Sequence, residues 1–408
     1  MRKQVSTEEL QFGMYIAELD RPWTETPFMF QGFELKTEKE LATLKQYCKT
    51  VLVDTEKGLD LPDRSQLKTG PVGTSGGVSV LATIKNKAWY QEGASIDAEV
   101  PRARAAQSKT EVVLRDVISA IQAGKTLDAA RVQEAVTSMT DSVVRNPDAM
   151  LLLARMKEKD TRNYDRALGV SVYMITFGRF LQLPREQLDL LGMLGLLQDI
   201  GMVHVPKGVL EAGHGRNAGQ EEIFKSHVEH SIAILNETAG LPPDLAALAG
   251  LHHERYDGSG YPQGLKMGEI GLFGVIAGLV DCFDALTHPR PHGEALAPSN
   301  ALSRLYDWRN TLFDGPLVEQ FIQCIGIYPV GAIVELNSGE TGIVIAQNLA
   351  RRLQPRVMVV LDRDGNPLRP NKILDLAKEP KADPDTPYRI KRTLEKASFP
   401  VDASEFFL

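Results

Sequence analysis

His252-His253-Glu254-Arg255-Tyr256-Asp257-Gly258-Ser259-Gly260-Tyr261-Pro262 ends an apolar helical run in two adjacent histidines and then turns through a glycine-rich loop. Neutral imidazoles bind divalent iron, manganese or zinc, and two at a helix end can diverge toward one or two ions. All eight histidines of the 408-residue chain fall between His204 and His292, so imidazole chemistry is expected in that window. Two helix-capping histidines and a plain turn would leave the clustering unexplained.

Upstream of the pair, apolar residues recur at helical spacing from Lys109 to Met156, through Val112, Val113, Val117, Ile118 and Ile121 and then Val132, Ala135, Val136 and Met139. The same period returns over 164–181, 185–197, 223–235, 244–252 and 272–286. This predicts a mainly α protein with an all-helical domain over 109–325, its chemistry-bearing part starting near 150. After Ile327 the pattern changes to Ile333-Val334-Glu335-Leu336, a turn at Asn337-Ser338-Gly339, and then Gly342–Ala346 and Val357–Leu361. Short strands around an Asn/Gly turn predict a small β subdomain over 326–376. The charged, Pro-containing tail, 377–408, is expected to be loosely ordered.

At the other end, Met14–Leu19 and Val51–Val53 read as strands and Thr37 with Glu40 as a capping box opening a helix. A small α/β domain is predicted over 1–70. Gly76-Gly77 after Thr74-Ser75 marks glycine-rich sequence, and 71–108 is expected to be a flexible linker region.

Hydrophobic residues make up 43% and charged residues 24% of the chain, with a net charge of -7. No basic stripe recurs on a helical face, which argues against DNA as a partner. Cys48, Cys282 and Cys324 are too few and too far apart for a disulfide framework or a thiolate zinc site. Apolar stretches such as Leu272–Val280 are short for a membrane span, and Met1–Ser6 lacks an apolar core. A cytoplasmic protein without membrane insertion is expected.

The stretch from His252 to Pro262 resembles the signature of the HD-GYP family, a bacterial metallohydrolase module that cleaves cyclic di-GMP. The resemblance extends to Asp281-Cys282-Phe283-Asp284-Ala285-Leu286-Thr287 with Arg290-Pro291, to His227, and to Leu196-Leu197-Gln198-Asp199-Ile200-Gly201, which looks like the Leu-His-Asp-Ile-Gly-Lys motif. The N-terminal unit and the segment around Tyr328-Pro329-Val330-Gly331 resemble extensions found in one branch of the family. The resemblance implies an HD-type helical domain, a divalent metal centre with Asp199 as the catalytic and bridging carboxylate, and Asp199, His227, His252, His253 and Asp281 as metal ligands. It implies ligand contacts from Arg290 and from Gly260, Tyr261 and Pro262.

Three positions depart from the family pattern. Gln198 stands where the motif has histidine, Met202 where it has lysine, and Arg166 aligns with an earlier metal-binding histidine. An amide is a poor ligand beside an imidazole, a thioether cannot hold a phosphate by charge, and a guanidinium stays protonated. One metal position of the family retains only Asp199 and Asp281, whereas the other retains Asp199, His227, His252 and His253. At most one ion (Fe, Mn or Zn) is therefore expected, with Arg166 in the vacated position offering its charge to Asp199, Asp281 or a ligand phosphate. Glu254 and Asp257 read as acid-base groups or as carboxylates orienting a histidine. The expected role is a binding or regulatory module for cyclic di-GMP, or for protein partners at the Gly-Tyr-Pro loop, with phosphodiesterase activity weak or absent. An active phosphodiesterase and a ligand-free protein scaffold are the alternatives.

Overall fold

The computed structural model describes residues 2–20, 26, 28, 33–35, 37–55, 79–156, 163–288, 295–348, 351 and 353–394. The chain divides into two units, 1–76 and 77–408.

In the first unit, β1 (Arg2–Ser6), β2 (Tyr15–Leu19), β3 (Phe33–Glu34) and β4 (Thr50–Asp54) form an antiparallel sheet in the order β1-β4-β2-β3. Helix α1 (Glu38–Tyr47) opens on the predicted capping box, with Thr37 accepting from the Glu40 amide and Glu40 accepting from that of Thr37. Leu44 of α1 and Met14, Ile16, Val51 and Val53 close one apolar core.

The second unit is dominated by helices: α2 (Ile96–Gln122), α3 (Ala129–Arg145), α4 (Pro147–Met156), α5 (Asn163–Phe180), α6 (Arg185–Leu197), α7 (Lys207–Glu211), α8 (Ala218–Lys225), α9 (His227–Glu237), α10 (Leu245–Ala249), α11 (Gly271–Thr287), α12 (Pro298–Asp307) and α13 (Gly315–Ile325). Edge-to-face rings tie three of them together: Tyr173 and Phe177 of α5, Phe283 of α11 and Phe321 of α13, with centroids 5.1 to 5.4 Å apart. Each buried ring contributes about 1.5–3 kcal/mol, which makes the α5–α11 pairing a rigid platform for what those helices carry. The segment Met267–Thr287 is long and apolar enough to cross a membrane, yet 67% of its most apolar stretch is buried here as a core helix.

Two expected segments differ. The linker prediction over 71–108 fails from residue 79 onward, because Ser79 and the Val80 amide bind the Asp314 carboxylate at 2.8 and 3.3 Å and α2 begins at Ile96. After Ile96 the first half of α2 buries Glu99, Ala103, Ala106 and Gln107, so the hydrophobic periodicity there is weak. Glu99 is fully buried, and Arg145 satisfies it through two bonds of 2.8 Å, with Ser142 at 2.8 Å. Residues 71–78 lie outside the described residues.

The tail prediction fails as well. Beyond β5 (Ile333–Leu336), β6 (Thr341–Ala346), β7 (Arg356–Leu361) and β8 (Pro367–Asp375), the chain makes β9 (Lys381–Asp383), β10 (Thr386–Pro387) and β11 (Ile390–Leu394). Strand β11 pairs antiparallel with β5 at the edge of a sheet ordered β11-β5-β6-β7-β8. Its charges sit on the solvent side, where Lys391 and Arg392 grip Glu335 at 2.5 and 2.6 Å. Residues 395–408 lie outside the described residues.

Candidate metal centre

Four side chains from three elements converge on one point. Helix α6 ends at Gln198 and delivers Asp199, the start of α9 supplies His227, and the turn after α10 supplies His252 and His253. One ligand atom from each of Asp199, His227, His252 and His253 lies within 4.8 Å of all the others. The Oδ1 of Asp199 is 3.2 Å from His227 Nε2 and 3.3 Å from His252 Nε2, and the two Nε2 atoms are 3.4 Å apart.

The outer nitrogens explain why these atoms face inward. His227 Nδ1 is 2.6 Å from the Phe224 carbonyl and His252 Nδ1 is 2.7 Å from that of Ala249. Each ring gives its Nδ1 proton to the backbone, so the neutral ring aims a bare Nε2 lone pair at Asp199. Asp199 Oδ1 and His253 Nε2 are buried without a hydrogen-bond donor. Converging acceptors with nothing to donate between them fit a divalent cation. The N₃O donor set, free of thiolate, suits iron, manganese or zinc. Burial, with the neighbouring His252 next, holds the His253 imidazole well below its ordinary range, which favours the neutral, ligating form. For His252 burial works the same way, but the Asp199 carboxylate outweighs it and the net shift is upward.

Close backbone approach sets the position of Asp199 against His227. The 3₁₀ turn Ile200–His204 follows directly, and a Cβ on Gly201 would lie 2.1 Å from the His227 carbonyl and 2.5 Å from the Ser231 amide nitrogen. The Gly201 amide also donates to Ser231 Oγ at 2.8 Å. Gly201→Ala is expected to cost about 1–3 kcal/mol of stability through overpacking, and to weaken metal binding as Asp199 and His227 are pushed apart. Urea denaturation and metal titration measure both; an alanine variant matching the parent in each would contradict the close approach.

Arg166, near the start of α5, occupies the other side of Asp199. Its Nη1 is 2.9 Å from Asp199 Oδ2, its Nη2 binds Asp281 Oδ1, and its Nε is 3.2 Å from Asp284 Oδ2. Asp199 and Asp281 were the anticipated partners. Asp284 was not, although its place one helical turn after Asp281 in α11 puts both on one face. His288 caps α11 and approaches Asp284 Oδ1 at 3.0 Å. Burial alone would raise the Asp199 and Asp284 carboxyls. Arg166 reverses this for Asp199 with help from the histidines, and His288 with Arg166 reverses it for Asp284, so both sit below the usual carboxylate range.

The other substituted positions are buried. Gln198 is 1% exposed and neither side-chain polar atom has a partner. Met202 packs with Val205, Val209 and Phe224 in a small apolar cluster. His204 and His230 meet edge-on with ring centroids 5.3 Å apart, outside the four-residue cluster.

The Gly-Tyr-Pro loop is pinned rather than free. Glu254, buried, accepts from the Gln263 and Leu265 amides at 2.7 and 2.9 Å, which makes it a loop staple instead of a partner for a histidine. Asp257 caps the turn by accepting from the Ser259 amide at 2.9 Å. Gly260 passes so close to the preceding turn that a Cβ would meet the Arg255 nitrogen at 2.4 Å. Tyr261 is partly buried, its ring stacked on His253 at 4.6 Å and 22°. Pro262 is exposed beside it. Arg290 lies outside the described residues.

Residues 145–317 match the HD domain family, 2–132 match a domain of unknown function (DUF3391), and 333–382 match a KOW domain associated with HD domain. The chain is 29% identical over 385 residues to a cyclic di-GMP phosphodiesterase of Pseudomonas aeruginosa, covering 94% of this chain and 91% of that one. It is 32% identical over 199 residues to a cyclic di-GMP phosphodiesterase response regulator of Xanthomonas campestris, covering 47% and 51%. It is 28% identical over 155 residues to a 3'3'-cGAMP-specific phosphodiesterase of Vibrio cholerae, covering 38% and 30%. The helical module is thus an HD domain. Over most of its length the chain is a homologue of a cyclic di-GMP phosphodiesterase.

Proposed function

We propose that this chain binds cyclic di-GMP at a one-ion HD centre and acts as a binding and regulatory module, with hydrolysis slow or absent. The observation that carries this reading is the guanidinium of Arg166 among Asp199, Asp281 and Asp284. A bound divalent ion supplies Lewis acidity and lowers the pKa of a water. Asp199, His227, His252 and His253 would hold one such ion. Arg166 supplies charge on the other side of Asp199, but a permanently protonated guanidinium neither coordinates water nor activates it. It can still neutralise a phosphate oxygen. Gln198 adds no ligand of comparable strength, and Met202 is turned into apolar packing. The pinned Gly-Tyr-Pro loop offers Tyr261 as a recognition surface for the nucleotide or a protein partner.

The test loads the purified full chain with manganese or ferrous iron and follows both binding and hydrolysis of cyclic di-GMP. The expected result is saturable binding with turnover undetectable or very slow, and Tyr261→Ala weakening the binding without loss of helical circular dichroism. Brisk hydrolysis would establish the alternative, an active metal-dependent phosphodiesterase, which the match across 94% of this chain to the Pseudomonas enzyme favours. Absence of binding would leave the scaffold reading. Restoring ligands should require Arg166→His together with Gln198→His. Adding Met202→Lys would force an ammonium into the cluster around Val205 and Val209.

A further inference from the structure

We infer that Lys225 supplies the phosphate-directed cation that Met202 no longer provides, acting from the outer face of Tyr261; this rests on the nucleotide-binding reading above. Lys225 is exposed in the last turn of α8, two residues before His227. Its Nζ lies 5.0 Å from the centre of the Tyr261 ring, and that ring stacks on His253 at 4.6 Å. The Tyr261 ring thus meets both the Lys225 ammonium and the His253 imidazole of the candidate metal centre.

The neighbouring cations are already committed. Arg166 is bound to three carboxylates. Arg255 donates to the carbonyls of His252 and Glu254 at 3.1 and 2.8 Å. Arg216 holds Glu221 at 2.8 Å, removing the carboxylate one turn before Lys225. Among the described residues Lys225 forms no ion pair; an aromatic face holds it. A ring positions an ammonium without neutralising it, so the full charge stays available to an anion. A cyclic dinucleotide carries two phosphodiesters. With one at the Asp199–histidine cluster, Lys225 meets an anionic oxygen further out along the Tyr261 face, and the same ring offers a surface for a base.

The experiment titrates cyclic di-GMP into the manganese-loaded full chain by calorimetry, at low and high salt, for the parent, Lys225→Gln and Lys225→Arg. Metal content and circular dichroism are measured on each. Lys225→Gln is expected to weaken binding about tenfold, the scale of a lost charge-assisted hydrogen bond. Lys225→Arg should stay within about threefold of the parent, and the deficit of the glutamine variant should shrink as salt screens the charge. Bound metal and fold should be unchanged. If the parent binds and Lys225→Gln binds equally well at both salt concentrations, Lys225 is not a contact while the one-ion binding reading stands. Equal weakening by glutamine and arginine would likewise overturn a role for the charge. If the parent does not bind at all, both readings fall together.

Discussion

Arg166→Ala is expected to destabilise the metal-free protein by about 3–5 kcal/mol at neutral pH, the cost of stranding buried charge without its partner. Asp284 is fully buried and Asp281 nearly so, with Asp199 part-buried beside them. The pH dependence gives the effect a signature. In the parent, Asp199 and Asp284 are held below their unfolded values. Their contribution is present above the ordinary carboxylate pKa of about 3.9, and is lost as pH falls through the lower folded values. The parent should therefore show little loss from these groups between neutral pH and about pH 5. Without Arg166, burial pushes the Asp199 carboxyl up, while His288 still faces Asp284. The variant should then gain stability on acidification over that interval, narrowing the gap. Manganese should stabilise the variant more than the parent, by occupying the carboxylate side that the guanidinium had filled. Urea denaturation at the two pH values, with and without metal, measures all of this. A variant as stable as the parent at neutral pH, with no pH-dependent gap, would remove Arg166 from its role as counter-charge.

His252→Ala should abolish retention of metal through gel filtration, where the parent retains about one ion per chain. Losing even an outer partner of a ligand typically costs 10–100-fold in affinity, so losing one of four donors should cost more than about 100-fold. His253→Ala should behave similarly. Asp281→Asn should have a smaller effect, because Asp281 spends its carboxylate on Arg166 and lies outside the four-residue cluster. Metal affinity of the parent should also weaken on acidification. The His252 ring is shifted upward by Asp199, so protons compete for its Nε2 lone pair already above the ordinary histidine value of about 6.5. Two tightly held ions in the parent, or equal losses from His252, His253 and Asp281, would show that the ligands are sorted differently.

Some of this was legible in residue order because it depends on neighbours along the chain. The capping box at Thr37 and Glu40, the helical period of α3 and α6, the strand and turn pattern after Ile327, and the paired histidines before a glycine turn are all local. Local spacing translates directly into helix faces, caps and turns. The substitutions at Arg166, Gln198 and Met202 were also visible, as departures from a family pattern.

Tertiary structure decided what those residues meet. Arg166 reaches across 33 residues to Asp199, 115 to Asp281 and 118 to Asp284, and chain spacing carries no trace of a three-way convergence that arises from packing α5 against α11. The start of α2 was hidden because, beyond Ile96, its inner face is made of alanine, glutamine and a salt-bridged glutamate, which hydrophobic periodicity barely registers. Strand β11 was hidden because an edge strand shows its charges to water and takes its order from backbone pairing with β5. Glu254 became a loop staple and Lys225 a companion of Tyr261 for the same reason: a side chain's chemistry is set by its type, but its partner is set by where the fold brings distant segments together.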